Sequence, residues 1–377
     1  MVVIKVQMLG TINSHRKDRI DADWNTFMEK YNKNPFLLSE FVNQYMELSR
    51  SNGWNPLILT ILGDDKIVGA FPLKMKNKLG VKYAKFLFQS ALSPDIVGDN
   101  QYLKILVPCA FDYLFKVLRC RFLDLTLPAE SSSLQIIKQT CEARGINFRI
   151  ITKKGHRILP INCTWTEIEK QRKGSIRQNF ARIERKMKHI GSWKTSYMEK
   201  ENDESNVMER ILQVEKMSWK EMQRTKMKVE TDQDLMIFLR ASYSIAKTNP
   251  EFSWCAWFLE LDGKTLAYIL SIHYRKVAFL VKTSYDMRYS RFSPGIYLTN
   301  IAIRELFNKG QVRSIDFLTD LPFMKNFTSL SIPRVRIMIS PNTVLLNIIN
   351  FVVTNKLTRS MFAMLSKRGL PIAELID

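Results

Sequence analysis

The stretch LILTILGDDKIVGAFPLKMK, residues 57–76, has a counterpart later in the chain, AWFLELDGKTLAYILSIHYR, residues 256–275. Each consists of an apolar run, a turn that contains Asp, a Lys, and a second apolar run. Two apolar runs separated by such a turn are typical of a β-hairpin. The sequence therefore predicts a hairpin in each half of the chain.

The likeness between the halves continues beyond the hairpins. In both halves the pattern predicts a further strand, a helix, and a short strand that contains Asp, namely RFLDLTLP (121–128) and SIDFLTDLP (314–322). A single shared hairpin could be coincidence, but the same order over about seventy residues favours an internal duplication. The predicted fold class is α+β, with helices, an antiparallel meander and a helix that crosses back to another strand in each half.

The chain length and one irregular segment set the predicted domains. At 377 residues the chain is long enough for two domains, each with its own core. Residues 153–163 lack periodicity, so we place the boundary there and predict domains 1–160 and 161–377. A helix is predicted over Thr166–Ile190, with Thr166 and Glu169 spaced as a capping box.

The composition excludes some functions and indicates an anionic partner. Lys and Arg total 57 against 36 Asp and Glu, a net charge of +21, which suits nucleic acid, acidic lipid or a phosphate-bearing ligand. The five cysteines include no close pair, which argues against a disulfide framework or zinc site, and no metal is expected. No apolar run is long enough for a signal peptide or membrane span, so a cytoplasmic protein is predicted.

Two basic segments are candidate contacts for that partner. The predicted mid-chain helix carries many Arg and Lys around an apolar stripe, and residues 321–373 contain no Asp or Glu. Within the latter, residues 344–368 read as an amphipathic basic helix at the end of the C-terminal domain. Such a helix can lie on an anionic membrane or bind tRNA phosphates, while packing on its own domain is the default expectation.

One loop has the composition of a phosphate-binding site. Ser293 suits an N-cap, Pro294 suits the first helical position, and Gly295 allows close approach to the backbone. A helix N-terminus with Arg288 and Arg291 nearby could hold a phosphate, although such helix starts usually bind nothing. The first half has Ser93-Pro94-Asp95 at the comparable place, and its carboxylate predicts that the N-terminal domain is degenerate.

The order of these features resembles the GNAT N-acyltransferases. More closely, the chain resembles double-GNAT proteins grouped with the cellulose-biosynthesis-type acetyltransferases and the Fem-type aminoacyltransferases. The shared features run along nearly the whole chain: Asn34-Pro35-Phe36, Arg177…Asn179…Arg182, Glu215…Ser218-Trp219-Lys220, LDGKTLAYIL, Tyr285-Asp286…Tyr289…Ser293-Pro294-Gly295…Leu298, and Asp316-Phe317-Leu318…Lys325. The resemblance implies tandem GNAT-like domains, each a mixed, mostly antiparallel sheet flanked by helices.

The resemblance also implies transfer of an acyl group to an amine, with acetyl-CoA or another acyl-CoA as co-substrate. The phosphates of the acyl carrier would lie against the loop, held by Arg288, Arg291, Ser293, Pro294, Gly295 and Tyr297. Asp316 would orient or deprotonate the amine, Lys325 would balance negative charge, and Tyr285 or Tyr289 would supply a proton. Arg177, Trp219 and Tyr289 are the expected acceptor-binding residues.

Each predicted role has a structural alternative. Asp316 could cap the following turn, Lys325 could be a solvated surface lysine, and the tyrosines could fill a core. Three functions stay open: an acyl-CoA-dependent N-acyltransferase acting on an amino sugar or similar amine, a transferase that uses aminoacyl-tRNA, and a non-catalytic protein that binds nucleic acid or membrane. The first is preferred, with the protein cytoplasmic or peripheral at a membrane.

Overall fold

A computed structural model describes residues 2–7, 14–31, 34–78, 80–88, 94–199, 204–218 and 233–355. Two compact units account for them. Unit 1 combines the described parts of residues 1–154 with 333–355, and unit 2 is formed by those of residues 155–332. The described residues after 332 belong to unit 1, whereas the sequence prediction places them in the C-terminal domain. The boundary near residue 160, as a division into functional domains, stays a prediction.

Unit 1 contains a mixed sheet in the order β1-β2-β3-β4-β6-β13, with β5 paired to β3. Its strands are β1 (Val2–Gln7), β2 (Asn55–Gly63), β3 (Lys66–Lys78), β4 (Val81–Phe86), β5 (Val97–Gly98), β6 (Phe122–Pro128) and β13 (Ser331–Ser340). β4 and β6 are parallel, and the other pairs are antiparallel. β2 is buried on both faces, as expected for a central strand with both faces covered.

The helices of unit 1 are α1 (Ser14–Tyr31), α2 (Ser39–Ser51), α3 (Asn100–Asp112), α4 (Ser132–Ala143) and α10 (Thr343–Thr354). On one face of the sheet, α3 and α4 bury Leu106, Phe111 and Ile137 against strand residues such as Phe71 and Leu123. On the other face, α10 buries Leu346, Ile349 and Val353 against Tyr83 and Phe122. Each such side chain contributes about 1.5–3 kcal/mol on burial.

Unit 2 contains a sheet in the order β8-β9-β10-β11-β12-β7. Its strands are β7 (Asn147–Pro160, of which 155–160 belong to this unit), β8 (Trp193–Glu199), β9 (Phe252–Leu261), β10 (Lys264–Tyr274), β11 (Val277–Tyr285) and β12 (Ser314–Asp316). Only β11 and β12 pair in parallel among these neighbours. The predicted duplication is confirmed, because each sheet has an edge strand, a three-stranded meander, a parallel strand and a last antiparallel strand.

The helices of unit 2 cover both faces of its sheet. They are α5 (Trp165–Gln171), α6 (Gly174–Lys188), α7 (Glu204–Lys216), α8 (Gln233–Thr248) and α9 (Pro294–Lys309). α6 and α9 pack on the face that Ala267 and Ile269 present. The hydroxyl of Tyr268 instead donates to Glu215 of α7. Because neighbouring strand residues point to opposite faces, α7 lies on the side away from α9.

The two meander turns show why the hairpin prediction was secure. Asp262 and Gly263 have φ angles of 49° and 78°, and Asp64 and Asp65 have 48° and 59°. Positive φ at both central residues belongs to the turn whose twist matches a hairpin. Asp tolerates this conformation better than most residues do, and Gly adopts it freely. The turn residues therefore encode the hairpins locally.

The predicted helix over Thr166–Ile190 is wrong in detail. The chain forms two helices, α5 and α6, which are separated at Arg172 and Lys173. The capping box is formed by Thr164 and Glu167, two residues earlier than predicted. The apolar stripe of α6 is confirmed by the burial of Phe180, Ile183 and Met187.

Several other features differ from the sequence prediction. Strands β1, β5, β8 and β13 were not predicted. Asp95 does not lie at a helix N-terminus, because α3 begins only at Asn100; its carboxylate instead accepts hydrogen bonds from Ser131 Oγ (2.6 Å) and Ile96 N (2.8 Å). Asp95 and Gly295 therefore do not occupy equivalent helix starts, so the prediction that matched these two positions is wrong. Burial raises the pKa of Asp95 despite these hydrogen bonds.

The C-terminal helix is described only in part. α10 covers residues 343–354 of the predicted amphipathic helix, and residues 356–368 lie outside the described residues. Among the helices that the structure describes, none is both long enough and apolar enough to cross a membrane.

Candidate functional site

The parallel strands β11 and β12 of unit 2 form a fork. Their ladder pairs Val277–Phe279 with Ser314–Asp316, and β12 ends there. β11 continues to Tyr285 along β10. The edge of residues 280–285 therefore runs beyond its ladder with β12. Backbone N–H and C=O groups on such an edge can pair with an extended ligand that carries amides.

Asp316 lies at the apex of this fork, where the two strands separate. Its Oδ1 accepts a hydrogen bond from Leu318 N at 2.7 Å, and its Oδ2 lies 3.3 Å from His156 Nε2. Asp316 is 7% exposed and His156, which comes from β7, is 4% exposed. Leu318 has a φ of 55°, an uncommon backbone conformation for a branched residue. Asp316 therefore does cap the following turn, but only through Oδ1. Its Oδ2 faces the imidazole of His156.

The loop after β11 is held by an aspartate. Asp286 is buried, and its carboxylate accepts hydrogen bonds from Arg288 N at 3.0 Å and from Arg288 Nε at 3.0 and 3.1 Å. These hydrogen bonds, followed by the charge of Asp286, raise the pKa of Arg288. The 3₁₀ helix Met287–Phe292 begins at this contact. Arg288 is exposed but has an internal carboxylate partner, whereas the exposed Arg291 lies over the Phe292 ring.

Helix α9 begins as predicted at Pro294, but Ser293 differs from the predicted N-cap. Its φ of 54° and ψ of 49° are left-handed, and its side chain makes no capping hydrogen bond. Pro294 occupies the first turn. Because the first N–H groups of a helix lack intrahelical partners, Gly295 and Ile296 present donors to the loop. Tyr297 follows, half-buried, and burial raises the pKa of its hydroxyl.

Gly295 lies against the end of β11. A Cβ atom at this position would be 3.2 Å from Tyr285 Cδ1 and 4.0 Å from Thr283 Oγ1. The close approach that was predicted at this glycine therefore involves the Tyr285 ring. Thr283 Oγ1 and the neighbouring Ser284 Oγ are buried hydroxyl oxygens without a hydrogen-bond partner. Such groups are rare in folded proteins. Because consecutive strand residues point to opposite faces, Thr283 Oγ1 is the one that lies on the side of Gly295, where a polar ligand could meet it.

A second group of buried polar side chains lies on the opposite face of the same strand end. Tyr268 Oη donates to Glu215 Oε1 at 2.5 Å, and Ser218 Oγ is 3.3 Å from Glu215 Oε2. Tyr268 is the ladder partner of Ser284, so both side chains share the face of α7. Met287 N donates to Met217 O at 3.0 Å, which ties α7 to the loop. Trp219, a predicted acceptor-binding residue, lies outside the described residues.

The remaining predicted residues are more dispersed. Arg177 is exposed on α6, a helix that lies next to the 3₁₀ helix Met287–Phe292. Lys325 is exposed on the 3₁₀ helix Pro322–Asn326, and Tyr289 is half-buried with its backbone N–H bonded to Asp286 O. The roles proposed for these side chains therefore remain predictions.

His156 is the candidate that sequence reasoning missed. The sequence prediction places a domain boundary within residues 153–163, the segment that contains His156. In the structure β7 continues to Pro160 and pairs Ile158 with Asp316. The available signal was the repeat itself, since a strand beside RFLDLTLP in one half requires an equivalent strand beside SIDFLTDLP in the other.

Comparisons with known proteins agree with this architecture. Residues 174–324 match the sequence model of the acetyltransferase (GNAT) domain family. The structure is similar to that of a tandem GNAT protein from the clavulanic acid biosynthesis pathway, with a TM-score of 0.50 at 11% identity over 90% of this chain and 98% of that one. No curated protein sequence matches the chain significantly.

Two further solved structures share the fold. The TM-score is 0.54 against a conserved protein of unknown function from Bacteroides thetaiotaomicron, at 11% identity over 90% of this chain and 100% of that one. It is 0.52 against FemX, at 11% identity over 79% and 86%. The match to the acetyltransferase (GNAT) domain family lies within unit 2, and the chain as a whole shares the duplicated GNAT-like fold of these structures.

Proposed function

We propose that the protein transfers an acyl group from an acyl-CoA to an amine, with an amino sugar as the first acceptor class to test. The observation that carries the proposal is the fork between β11 and β12, with a strand edge that extends past the ladder, the buried hydroxyl of Thr283 and a carboxylate at its apex. The amides of a pantetheine arm suit that edge. The N–H groups of α9 and the charge of Arg291 suit the carrier phosphates.

The proposed chemistry uses groups on both sides of the fork. Backbone N–H groups near Lys282–Tyr285 stabilise the oxyanion that forms when the amine attacks the acyl carbon. Asp316 binds the ammonium of the acceptor and removes its proton, because only the neutral amine is a nucleophile. Tyr285 or Tyr289 supplies the proton for the leaving thiolate. Arg177, Trp219 and Tyr289 are proposed to contact the acceptor, and Lys325 to balance negative charge.

Thermal stability with CoA and acetyl-CoA tests the donor. A ligand at about a hundred times its Kd adds about 2.7 kcal/mol to the unfolding free energy, so a raised melting midpoint is expected. Thr283→Val removes one unpartnered hydroxyl at constant shape, and Arg291→Glu reverses the exposed loop charge. Both should reduce the shift, whereas Lys104→Glu, an equal charge reversal on α3 of unit 1, should leave it unchanged. Equal shifts in all variants would contradict a donor site at this loop.

Aminoacyl-tRNA is the second candidate donor, supported by one surface. α6 exposes five basic side chains, while its apolar stripe is buried: Arg177, Arg182, Arg185, Lys186 and Lys188. Such a face suits the phosphates of a nucleic acid, with affinity that falls steeply with salt. Bulk tRNA that stabilises the protein at low salt, and does so less in Arg185→Glu, together with no shift from CoA, would favour this donor. A CoA shift without a tRNA shift would reject it.

We also propose that the protein works in the cytoplasm, at an anionic membrane surface. On α10 of unit 1, Val344, Ile348 and Phe351 are 68%, 57% and 57% exposed, at helical spacing. The described residues of this helix carry no charge, and its neighbour Arg149 is basic and donates to Asn347 at 3.2 Å. An apolar stripe beside positive charge in a protein of net charge +21 complements anionic lipid.

Vesicle flotation tests this location. The protein should bind phosphatidylglycerol vesicles, bind phosphatidylcholine vesicles weakly, and lose binding in the double variant Ile348→Ser with Phe351→Ser. Ile105→Ser with Val117→Ser, which changes exposed apolar residues elsewhere in unit 1, is the matched control. A lack of binding to either vesicle, or a concentration-dependent dimer that the first double variant abolishes, would overturn the proposal in favour of free protein or self-association.

A further inference from the structure

Arg172 is a buried arginine at the break between α5 and α6. Its φ of −63° and ψ of 140° are those of extended backbone, so α5 ends before it and α6 begins two residues later, at Gly174. Its side chain is only 4% exposed. A guanidinium keeps its positive charge in proteins, and burial of a charge is costly unless that charge is paired and hydrogen-bonded. The partners of each nitrogen of Arg172 therefore matter.

One of the three guanidinium nitrogens has partners. Nη1 donates to Glu169 Oε1 and to Asn300 Oδ1, both at 3.0 Å, which uses its two N–H groups. Nε and Nη2 are buried, and neither has a hydrogen-bond partner among the residues that the structure describes. These two atoms share one edge of the planar group, where their N–H groups form a fork. Because unpaired buried donors are rare, this edge points to a ligand.

The surroundings of that edge are aromatic. Cζ of Arg172 lies 4.5 Å from the ring centroid of Trp165, 5.1 Å from that of Phe180 and 5.5 Å from that of Phe327. Burial lowers the pKa of Arg172, although the charge and hydrogen bond of Glu169 oppose this. The Glu169 side chain is 43% exposed, so solvent screens its charge. A second anion beside the guanidinium is therefore favourable, provided that it tolerates apolar neighbours.

We propose that the Nε and Nη2 edge of Arg172 binds a carboxylate that is attached to an apolar body. The two oxygens of one carboxylate accept from Nε and Nη2 at the same time, which is the bidentate geometry that arginine prefers. The apolar body packs on the aromatic rings. A phosphate also has two oxygens for this edge, but its remaining oxygens would face ring carbon without hydrogen bonds. The site requires neither acyl-CoA nor an amine, so it goes beyond the proposed function.

Helix α5 offers the ligand a route to Arg172. α5 is seven residues long and has no fully buried residue, and its Trp165 and Ile168 are half-buried. Phe180 and Phe327, by contrast, are buried. Segments with few buried apolar contacts open locally at low free-energy cost. The carboxylate therefore reaches the buried edge when α5 moves, while α6 keeps its place.

Thermal stability with small carboxylates tests the site at constant ionic strength. Benzoate and hexanoate should raise the melting midpoint in proportion to the logarithm of their concentration once they exceed their Kd, whereas benzamide, the uncharged analogue of benzoate, should not. Arg172→Lys keeps the charge but removes the fork, so it should weaken benzoate binding by about tenfold or more. Any shift caused by inorganic phosphate should be the same in this variant as in the unchanged protein.

Arg210→Lys is the matched control for this variant. Arg210 also belongs to unit 2, and its Cζ lies 3.9 Å from the ring centroid of Phe258. Its Nε donates to Thr265 Oγ1 at 3.2 Å and its Nη2 to Ser196 Oγ at 3.0 Å. Because the equivalent edge of Arg210 is already used, Arg210→Lys should keep the full benzoate shift. A shift that Arg172→Lys retains, or that Arg210→Lys loses equally, would overturn the proposal.

Nuclear magnetic resonance of the unchanged full chain keeps the proposal testable if Arg172→Lys does not fold. The Nε–H signal of Arg172 should move when benzoate is added and should then exchange more slowly with water, while that of Arg210 should stay in place. An Arg172 signal that does not respond to benzoate, or a melting midpoint that neither carboxylate raises, would assign water to this edge and overturn the proposal.

The carboxylate has two conceivable sources, a separate acid and the acceptor amine itself. Asn300 belongs to α9, which begins at the proposed donor loop. Release of CoA from acetyl-CoA is therefore followed with ε-aminocaproate and with pentylamine, which lacks only the carboxylate. An acceptor carboxylate predicts a KM about tenfold lower for ε-aminocaproate, a difference that Arg172→Lys removes, and a separate acid predicts equal KM values. If neither amine releases CoA, the failure concerns the proposed function alone, because benzoate binding is measured without donor or acceptor.

Discussion

Each unit has an aspartate at the equivalent place in its sheet, but the side chains that contact the two aspartates differ in chemistry. Asp124 in unit 1 is held by Arg336 and Lys85. Burial by itself would raise its pKa, but the hydrogen bonds and charge of Arg336, joined by Lys85, hold the pKa below its usual range. Asp316 in unit 2 faces His156. Equivalent backbone positions therefore have partners of different chemistry, a guanidinium in unit 1 and an imidazole in unit 2.

The strands beside these aspartates differ as well. β4 ends at Phe86, shortly after its ladder with β6, whereas β11 extends six residues past its ladder with β12, to Tyr285. In unit 2 helix α9 follows β11 after one short loop. In unit 1 the strand β5 lies between β4 and helix α3. The fork and the helix start therefore come together in unit 2, which agrees with the placement of the family match at residues 174–324.

The largest expected effect concerns the ion pair of unit 1. Arg336→Met should lower the unfolding free energy by about 3–5 kcal/mol, because it leaves a buried carboxylate without its main partner. His156→Gln should cost about 1–2 kcal/mol, since it removes one hydrogen-bonding partner. Urea unfolding measures both. Equal losses of unfolding free energy would mean that the two pairs contribute equally to stability.

A double variant sharpens this result. Asp124→Leu with Arg336→Met replaces the ion pair by apolar side chains, which is often neutral or even stabilising. Lys85 is partly exposed and can turn its ammonium to water. We expect stability near that of the unchanged protein and undiminished release of CoA. A loss of activity would show that unit 1 contributes more than structure.

The next effect is a difference in acid stability. Burial, followed by the charge of Lys309, lowers the pKa of His273 to about 4. The unfolded chain binds this proton near pH 6.5, so stability is full above that pH and falls by at most about 3 kcal/mol as the pH drops to 4. The lowered pKa of Asp124 acts only below about pH 3.9. Hydrogen exchange should therefore show β10 losing protection at a higher pH than β6.

His273→Asn supplies the control for this pH dependence. Asparagine does not titrate, so the decline between pH 6.5 and 4 should flatten in urea unfolding. A decline that persists unchanged in this variant would assign it to other groups.

The smallest effect concerns thiol reactivity. Burial raises the pKa of Cys120 and Cys141 in unit 1 to about 12, and it raises that of Cys255 in unit 2. Thiolate is the reactive form, so these three should resist labelling by a disulfide reagent in the native protein. Cys109 and Cys163 are partly exposed and should react. Mass spectrometry of the labelled chain gives one modified cysteine per unit, and labelling of Cys255 would contradict the packing of unit 2.

The sequence by itself determined the duplicated α+β architecture. The hairpins at 57–76 and 256–275 are encoded by neighbouring residues, because alternating burial and turn chemistry act over a few positions. The start of α9 at Pro294 and the apolar stripe of α6 were predictable for the same reason. The short strands that contain Asp124 and Asp316 were also visible, since their apolar runs repeat.

Only the tertiary structure decided the partners of those aspartates. β7 and β13 reach β12 and β6 from distant parts of the chain, and no local pattern encodes which side chain meets a carboxylate across a sheet. The left-handed Ser293 and Leu318, the contact of Gly295 with Tyr285, and the carboxylate of Asp286 on Arg288 are likewise products of packing. The sequence thus supplied the strands, and strand pairing between distant segments brought His156 to Asp316.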